Sequence, residues 1–314
     1  MATTAYLFDK RFKQHETGMG HPERPERLVA IHEKLQKTNL YKKLYRIESR
    51  FATEEEIEMV HLPSYVQRVR EEVERDIHFL DSMDTPVCRR SYDIARLAAG
   101  SGMAMCDAVL SGLAVCGFCN IRPPGHHAEI ASAGGFCIFN NVAIAARYLQ
   151  KTHKVERIAI VDWDVHHGNG TQHIFEEDSS VYFVSLHQSP HYPGTGSFRE
   201  KGRGEGTGYT LNIPMGSGSG VKDYLREIRS KVIPALESFE PEIILISCGF
   251  DAHTLDPLSG IHLSSEAYYT LGKHITDVAK KCSQGRVIAF LEGGYNLNAL
   301  ADGSAYLIKS FLES

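Results

Sequence analysis

The sequence predicts an α/β fold in which a mostly parallel central sheet is covered by helices on both faces. Short apolar runs, typical of buried parallel strands, alternate along the chain with patterns of helical period. Several of these runs lead directly into segments that carry Asp, His or Tyr, and α/β sheets bind ligands at the carboxyl ends of their strands. Because these segments are spread between residues 115 and 295, a domain boundary would split them, so we expect a single domain over residues 1–314.

The first third of the chain predicts helices separated by turns. A turn-rich segment, residues 20–25, precedes an amphipathic helix over residues 26–37. Residues 54–74 are acidic and have a helical period, which indicates a helix with a solvated face. Residues 81–87 are predicted to form a loop, and the small residues of segment 91–110 predict a helix suited to close packing.

The rest of the chain predicts alternating strands and helices. The predicted strands are residues 118–121, 157–161, 181–185, 209–213, 243–247 and 287–291, and the predicted helices are residues 141–151, 221–239 and 266–282. Two long irregular stretches, residues 187–208 and 252–263, are rich in Gly, Pro, Ser and His. Loops of this length in a compact domain tend to shape a binding site.

The composition limits the classes of partner. A formal net charge of −5 argues against a nucleic-acid surface, and an acidic balance is compatible with cationic substrates such as lysine-bearing tails or polyamines. Residues 1–8 lack the pattern of a secretory signal, and no apolar stretch is as long as a membrane span. We therefore expect a soluble, cytoplasmic protein without membrane or direct nucleic-acid partners.

The cysteines are predicted to be reduced. Seven cysteines, an odd number, fit free thiols better than a disulfide framework. Cys116 and Cys119 have the spacing of half a zinc knuckle or of a redox pair, but no second pair completes a knuckle. On a strand their side chains would point to opposite faces, which favours two buried structural thiols.

The segment from Asp162 to Gly170 carries the clearest chemical pattern. It follows a predicted strand, and in an extended chain Asp162, Asp164 and His166 share one face. Asp164 and His166 could then bind one ion while Asp162 supports them. Mixed carboxylate and imidazole ligands suit zinc, or less often iron or manganese. A solvated polar loop after a strand is the alternative for this segment taken alone.

Three further segments repeat the arrangement. Residues 122–127 contain two histidines, residues 249–251 end in an aspartate, and residues 292–295 end in a tyrosine after two glycines. Each follows a predicted strand directly, so four potential ligands, bases or hydroxyl groups would meet at one edge of the sheet. The four segments together predict one active site.

These motifs carry a family resemblance. The relevant stretches are Arg-Pro-Pro-Gly-His-His-Ala, Gly-Phe-Cys-Ile-Phe-Asn-Asn, Asp-Trp-Asp-Val-His-His-Gly-Asn-Gly-Thr-Gln, Gly-Phe-Asp-Ala and Leu-Glu-Gly-Gly-Tyr-Asn. In them the chain resembles the zinc-dependent histone deacetylase family, in particular its class II branch, and the wider superfamily that includes acetylpolyamine amidohydrolases. The resemblance implies an arginase/deacetylase-like fold with the active site at the carboxyl ends of the strands.

The resemblance also implies the metal ligands. Zinc, one ion per chain, would be held by Asp164, His166 and Asp251, and three protein ligands with an open position are what a catalytic zinc requires. The family pattern further implies potassium, bound by the side chains of Asp162, Asp164 and Ser185 and by the carbonyls of His166 and Leu186.

By the same resemblance, His127 is the general base and later the acid, whereas His126 pairs with Asp162 and stays mainly electrostatic. Tyr295 would donate to the amide carbonyl and to the oxyanion that forms from it. Asn169 occupies the position where part of the family has an aspartate beside His127. A neutral partner stabilises an imidazolium less than a carboxylate does, so we expect the pKa of His127 to be lower than in those relatives.

The substrate-binding residues are also implied by the resemblance. Gly135, Phe136 and Tyr192 would line a narrow tunnel for a lysine-like chain, although much of the family has phenylalanine at the position of Tyr192. Asp84 would accept hydrogen bonds from the substrate backbone at the rim. Leu258 would lie at the tunnel mouth, where polyamine-selective relatives have an acidic residue.

The predicted function is hydrolysis of acetyl-lysine side chains in proteins through a zinc-activated water. The close alternative is deacetylation of N-acetylated polyamines or other small acetylated amines, which Leu258 disfavours. A catalytically silent acyl-lysine binder is less favoured, because each role in the site has a residue to fill it. A manganese hydrolase related to arginase would need more carboxylates. The oligomeric state stays open.

Overall fold

The sheet is parallel throughout the part of the chain that the structure describes. The computed structural model describes residues 3–314, so residues 1 and 2 of the predicted domain lie outside it. The eight strands are β1 (Thr4–Phe8), β2 (Tyr45–Arg46), β3 (Cys116–Asn120), β4 (Ile158–Asp162), β5 (Val181–Gln188), β6 (Thr210–Met215), β7 (Ile243–Cys248) and β8 (Val287–Leu291). They form one sheet in the order β2-β1-β3-β8-β7-β4-β5-β6.

The helices follow or connect the strands, as parallel pairing requires. They are α1 (Glu26–Lys37), α2 (Glu54–Ile57), α3 (Pro63–Glu74), α4 (Ser91–Leu110), α5 (Asn141–His153), α6 (Asn169–Phe175), α7 (Val221–Glu227), α8 (Ile233–Phe239), α9 (Ser265–Cys282) and α10 (Leu297–Leu312). A single π-helical turn, Ile228–Val232, joins α7 to α8. None of the helices within residues 3–314 is long and apolar enough to cross a membrane.

Helices cover both faces of the sheet, as predicted. Met105 of α4 packs over Gly117 of β3 so closely that a Cβ at position 117 would overlap its side chain. The next residue, Phe118, points to the opposite face, where its ring lies 6.4 Å from that of Phe250. Phe250 in turn packs on Gly303 of α10. The two faces are therefore buried under different helices, α4 and α10.

The four strands that precede the chemical motifs are neighbours in the sheet. The order β3-β8-β7-β4 is continuous, and parallel strands end at the same edge. Residues 122–127, 292–295, 249–251 and 163–167 follow these strands in that order. The sheet order therefore lays the four motif segments side by side along one edge.

Several element predictions need correction. Residues 54–74 do not form one helix but two, because proline at position 63 disfavours helical backbone at Leu62, whose ψ is 137°. Helix α2 begins with a capping box between Thr53 and Glu56. Strands β1 and β2 and helices α6 and α10 were not predicted. Helix α10 is rich in small and apolar residues and is largely buried.

The cysteines are free thiols. All seven lack a disulfide partner, and five of them, including Cys116 and Cys119, are buried. Burial raises the pKa of the Cys116 thiol to about 12, so this side chain is a neutral core group at physiological pH. The prediction of two buried structural thiols is confirmed.

A buried ionic cluster ties the segment before α1 to the active-site edge of the sheet. Arg122, directly after β3, forms two hydrogen bonds to the Glu23 carboxylate at 2.9 and 2.7 Å. Arg27 of α1 donates to the same carboxylate at 3.0 Å, and all three side chains are buried. Burial opposes the charged form of Glu23, but the two guanidinium groups outweigh it and hold its pKa below the usual range.

Replacing Glu23 by glutamine should lower the free energy of unfolding by about 3–5 kcal/mol, because it leaves two buried guanidinium groups without a counter-charge. Urea denaturation at pH 7 measures the change. Glu33→Gln is the matched control, since Glu33 pairs with Lys37 on the surface and should contribute less than about 0.5 kcal/mol. Equal stability losses in the two variants would contradict the importance of the cluster.

Candidate active site

Asp164, His166 and Asp251 form a buried cluster with the geometry of a metal site. One possible ligand atom from each residue lies within 4.8 Å of the others. The Nδ1 atom of His166 is 3.0 Å from Oδ1 of Asp164 and 3.3 Å from Oδ2 of Asp251. Oδ2 of Asp251 is buried and has no hydrogen-bond partner among the described residues. Two buried carboxylates, one with an unused oxygen, and one imidazole fit a zinc ion.

The electrostatics of the cluster favour a bound cation. Burial and the neighbouring Asp164 carboxylate raise the pKa of Asp251 to about 7. Burial alone would lower the pKa of His166, but the adjacent carboxylates of Asp164 and Asp251 raise it to about 10. The pocket thus stabilises positive charge. A bound divalent ion would supply that charge, and the His166 imidazole that binds it would then be neutral.

Glycines make room for the Asp164 carboxylate. A Cβ at Gly249 or at Gly293 would overlap Asp164, and at Gly293 it would overlap Asp251 as well. The amide of Gly293 donates to Oδ2 of Asp164 at 2.7 Å, and the amide of Val165 donates to Oδ1 of Asp251 at 2.8 Å. The backbone therefore approaches both carboxylates closely and fixes their direction.

His126 and Asp162 form a buried pair. Nδ1 of His126 is 2.9 Å from Oδ2 of Asp162. Burial disfavours the imidazolium, but the carboxylates of Asp162, Asp164 and Glu292 outweigh it and raise the pKa of His126 to about 10. Burial raises the pKa of Asp162 to about 6, so at neutral pH the proton belongs to His126.

His127 is in a different state from its neighbour. Burial, and then the positive charges of His126 and His166, lower its pKa well below the usual value. Its Nδ1 atom is 2.7 Å from Oδ1 of Asn169, so Nδ1 carries the hydrogen and Nε2 has a free lone pair. A neutral imidazole with a free nitrogen can accept a proton. Whether its pKa is lower than in relatives with aspartate at position 169 remains a prediction.

Tyr295 is held by several contacts around the turn that contains it. Gly294 has a φ of +117°, which only glycine adopts readily. The Asp256 carboxylate accepts the amide of Tyr295 at 2.7 Å, and the guanidinium of Arg27 lies 5.1 Å from the centre of its ring. Burial raises the pKa of Tyr295 well above the usual value, so its hydroxyl keeps its proton and can donate it in a hydrogen bond.

A cavity of about 290 Å³ opens to the surface and reaches three of these groups, His127, His166 and Tyr295. All but one of its lining residues are predicted site residues, namely Asp84, His127, Gly135, Phe136, His166, Tyr192, Leu258 and Tyr295. The rings of Phe136 and Tyr295 lie 5.9 Å apart and nearly perpendicular, and those of His127 and Tyr192 lie 5.1 Å apart. Aromatic rings therefore form much of the cavity wall.

Backbone strain marks one wall of the cavity. Gly135 has a φ of +54° and Phe136 a φ of +69°, and a left-handed conformation is costly for an aromatic residue. A Cβ at Gly135 would overlap the ring of His127. Glycine at this position therefore allows the loop to lie directly on His127.

Asp84 and Tyr192 meet at the rim. Oδ1 of Asp84 accepts hydrogen bonds from the hydroxyl of Thr85 at 2.8 Å and from the amide of Gly135 at 3.2 Å, and Ser82 also donates to it. Burial and the nearby Asp84 carboxylate raise the pKa of Tyr192. Asp84 thus ties its own loop to the loop that carries Phe136.

Two of the candidate potassium ligands lie side by side in the sheet. Asp162 and Ser185 are paired across β4 and β5, and both are buried. Ser185 lies 2.9 Å from Nδ1 of His187, whose Nε2 faces the carbonyl of Gly196 at 3.0 Å. Because that carbonyl accepts the Nε2 hydrogen, the Ser185 hydroxyl donates to Nδ1, and its oxygen lone pairs remain available for a cation.

Sequence reasoning missed several residues that shape the site. His191 is the remaining residue of the cavity wall; it stacks on His166 with 4.9 Å between ring centres, and its Nε2 donates to the carbonyl of Leu258 at 2.9 Å. Glu292 accepts the amides of Gly125 and His126 at 2.7 and 3.2 Å. Both had a signal in the sequence, since His191 lies in the predicted binding loop 187–208 and Glu292 begins the motif segment 292–295.

Comparisons with known proteins found similar sequences and a similar structure. The sequence pattern of the histone deacetylase domain matches residues 21–311. The chain is 40% identical over 308 residues to histone deacetylase 14, chloroplastic, of Arabidopsis thaliana, covering 93% of this chain and 73% of that protein. It is 39% identical over 301 residues to the polyamine deacetylase HDAC10 of Homo sapiens, covering 92% and 44%. The crystal structure of the HDA15 HD domain matches with a TM-score of 0.94 at 37% identity, covering 100% of this chain and 90% of that one.

Replacing Asp251 by asparagine should weaken zinc binding by more than about 100-fold, because it removes one of two anionic ligands. The metal-free variant should be at least as stable as metal-free wild type, since it no longer places two carboxylates together. Titration calorimetry with zinc and urea denaturation measure the two effects. Asp277→Asn, which removes an exposed carboxylate on α9, is the control. An unchanged zinc affinity in the Asp251 variant would exclude this cluster as the metal site.

Proposed function

The chain belongs to the histone deacetylase family, and we propose that it is a zinc-dependent deacetylase that removes the acetyl group from the side-chain amine of acetyl-lysine in proteins. The family's deacetylases and amidohydrolases are hydrolases. The observation that carries the finer proposal is the position of His166, which belongs both to the Asp164–His166–Asp251 cluster and to the wall of the aromatic cavity. A metal ion held by the cluster would meet a substrate that enters the cavity.

Each residue of the proposed site has a separate task. Zinc, when bound, polarises the amide carbonyl and lowers the pKa of a water molecule beside it. His127, neutral and with Nε2 free, accepts the proton of that water and later delivers it to the leaving amine. His126, charged through its pairing with Asp162, supplies fixed positive charge next to the reacting atoms and keeps His127 neutral until it is needed.

Tyr295 stabilises the charge that develops on the carbonyl oxygen. Its hydroxyl is protonated at all physiological pH values, and hydrogen bonds to Asp256 fix the backbone that carries it. A donor of this kind contributes roughly 2.7–4 kcal/mol to the transition state in comparable oxyanion sites. The Phe136 ring packs edge-on against the Tyr295 ring, with 5.9 Å between ring centres, and so restricts its orientation.

The cavity favours a single long chain with an acylated amine at its end. Its walls are mainly apolar, which suits the methylene groups of acetyl-lysine. Deacetylation of acetylated polyamines is the second candidate, because one relative is named a polyamine deacetylase. Leu258 at the mouth offers no charge to a second amine, and this favours acetyl-lysine.

Potassium is proposed as a second ion. Asp162, Asp164 and Ser185 would bind it together with the carbonyls of His166 and Leu186. The available lone pairs of Ser185 next to the buried carboxylate of Asp162 support the proposal. A monovalent cation there would offset part of the negative charge around the zinc ligands.

The function is tested by kinetics on a matched pair of substrates, an acetyl-lysine peptide and an acetylated polyamine, with wild type and Tyr295→Phe. We expect the peptide to be the better substrate. Removing the Tyr295 hydroxyl should lower kcat roughly 100- to 1000-fold with little change in KM, because it acts on charge that forms in the transition state. Tyr192→Phe removes a hydroxyl from the same cavity and should change kcat only a few-fold. Equal losses in both variants would contradict the role of Tyr295.

Leu258→Glu should shift selectivity towards the acetylated polyamine. A carboxylate at the mouth attracts the second cationic amine, and a partly exposed pair of this kind contributes up to roughly 1 kcal/mol. The ratio of the two kcat/KM values should therefore change several-fold at low salt and less at high salt. Leu258→Gln is the control, because glutamine has the shape of glutamate without its charge. A ratio that does not change at low salt would mean that Leu258 does not meet the second amine.

A further inference from the structure

The partner of His127 does not act alone. Asn169 presents Oδ1 to Nδ1 of His127 at 2.7 Å, and its Nδ2 atom lies 2.6 Å from Oε1 of Glu129. The three side chains form a line from the cavity towards the surface, with an amide between an imidazole and a carboxylate. Glu129 was not among the predicted site residues.

Hydrogen bonds of its backbone and burial of its side chain fix the position of Glu129. Its carbonyl accepts Nδ1 of His61 at 2.9 Å, and Nε2 of the same buried ring accepts the amide of Asn140 at 2.9 Å. The amide of Glu129 donates to the carbonyl of Ser132 at 2.9 Å. Its side chain is 26% exposed, so most of it lies against the protein.

The helix that carries Asn169 packs on the same segment. Asn169 is the first residue of α6, and a Cβ at the next residue, Gly170, would overlap the carbonyl of Ala128. One helical turn later, Nδ1 of His173 donates to the same Oε1 atom of Glu129 at 2.8 Å. Asn169 and His173 therefore lie on one side of α6 and converge on one carboxylate oxygen.

The carboxylate decides which way the Asn169 amide points. A carboxylate only accepts hydrogen bonds, so the NH₂ group of Asn169 must face Glu129 and its oxygen must face His127. The imidazole then has to place its hydrogen on Nδ1 and its lone pair on Nε2. Without Glu129 the amide could turn over, present NH₂ to Nδ1, and place the hydrogen on Nε2 instead, where it would block proton uptake.

We propose that Glu129 is a positioning residue for the deacetylation, acting through Asn169 to fix the tautomer of His127 and to place negative charge one amide away from it. The inference rests on the function proposed above, in which His127 is the base. Through the neutral amide of Asn169, Glu129 then has part of the effect on the imidazole that a directly bonded carboxylate would have.

Glu129→Gln tests the proposal, because it keeps the shape but replaces a carboxylate that only accepts hydrogen bonds by an amide that can also donate, so the direction of the Asn169 amide is no longer fixed. We expect kcat to fall roughly 10-fold, within the range for loss of a supporting partner, while KM changes less than about two-fold. His173→Gln is the matched control: it breaks the other contact of Glu129 with α6 but leaves Asn169 oriented, so kcat should stay within about two-fold of wild type. Equal losses in both variants would mean that Glu129 merely anchors α6, and would overturn the proposal.

A second experiment moves the carboxylate from position 129 to position 169. Asn169→Asp alone places two carboxylates face to face and should lower kcat. Combining it with Glu129→Gln puts the carboxylate directly on His127 with an amide behind it, and we expect kcat to recover to within about three-fold of wild type. A double variant no more active than the less active single variant would overturn the proposal.

A measurement that does not depend on turnover tests this inference separately from the proposed function. Nitrogen-15 NMR of the zinc-loaded protein reports which ring nitrogen of His127 carries the hydrogen. We expect Nδ1 in wild type and in His173→Gln, and a mixture in Glu129→Gln. An unchanged tautomer in Glu129→Gln would overturn the inference even if wild type deacetylates its substrates. Failure of wild type to hydrolyse any acetylated amine would overturn the proposed function, and the role of Glu129 in deacetylation with it, whereas the NMR result would still decide whether Glu129 sets the tautomer of His127.

Discussion

Four neighbouring parallel strands end at one edge of the sheet, and every part of the candidate site depends on that order. Strands β3, β8, β7 and β4 are adjacent, so segments far apart in sequence reach one another without long loops. Their backbones are fixed by pairing on both sides, and the first few residues after each strand inherit that rigidity. This allows Asp164, His166 and Asp251 to converge although they come from two different strands.

Because these segments converge, several buried carboxylates lie close together, and the surrounding protein has to compensate their negative charge. The site contains carboxylates on Asp162, Asp164, Asp251 and Glu292, all buried. His126 balances part of this charge, and backbone amides from Gly125, Val165 and Gly293 point at carboxylate oxygens. On the other side, Arg27 and Arg122 share Glu23 and donate to carbonyl groups around the Tyr295 turn and the start of the chain. The two ionic regions meet at residues 292–294, which belong to both.

The sequence predicts site residues that directly follow a strand. It does not predict residues that act through contacts with distant parts of the chain. Asp164, His166 and Tyr295 could be identified because each follows an apolar run directly, and the family resemblance then supplied their roles. Glu129 and Asp256 could not be identified, because an isolated carboxylate in a loop has no local pattern. Their partners, Asn169 and Tyr295, are about 40 residues away in the chain. The break at Pro63 could have been predicted from proline alone.

The contact between His191 and Leu258 joins the two long loops through a main-chain carbonyl. A main-chain carbonyl is present whatever side chain is attached, so position 258 can change its chemistry without loosening the loops. The residues that face the metal cluster have no such freedom, because Gly249 and Gly293 already touch Asp164. Substitutions at position 258 therefore change what the cavity mouth offers a bound molecule, whereas a side chain added at position 249 or 293 would displace the buried carboxylates.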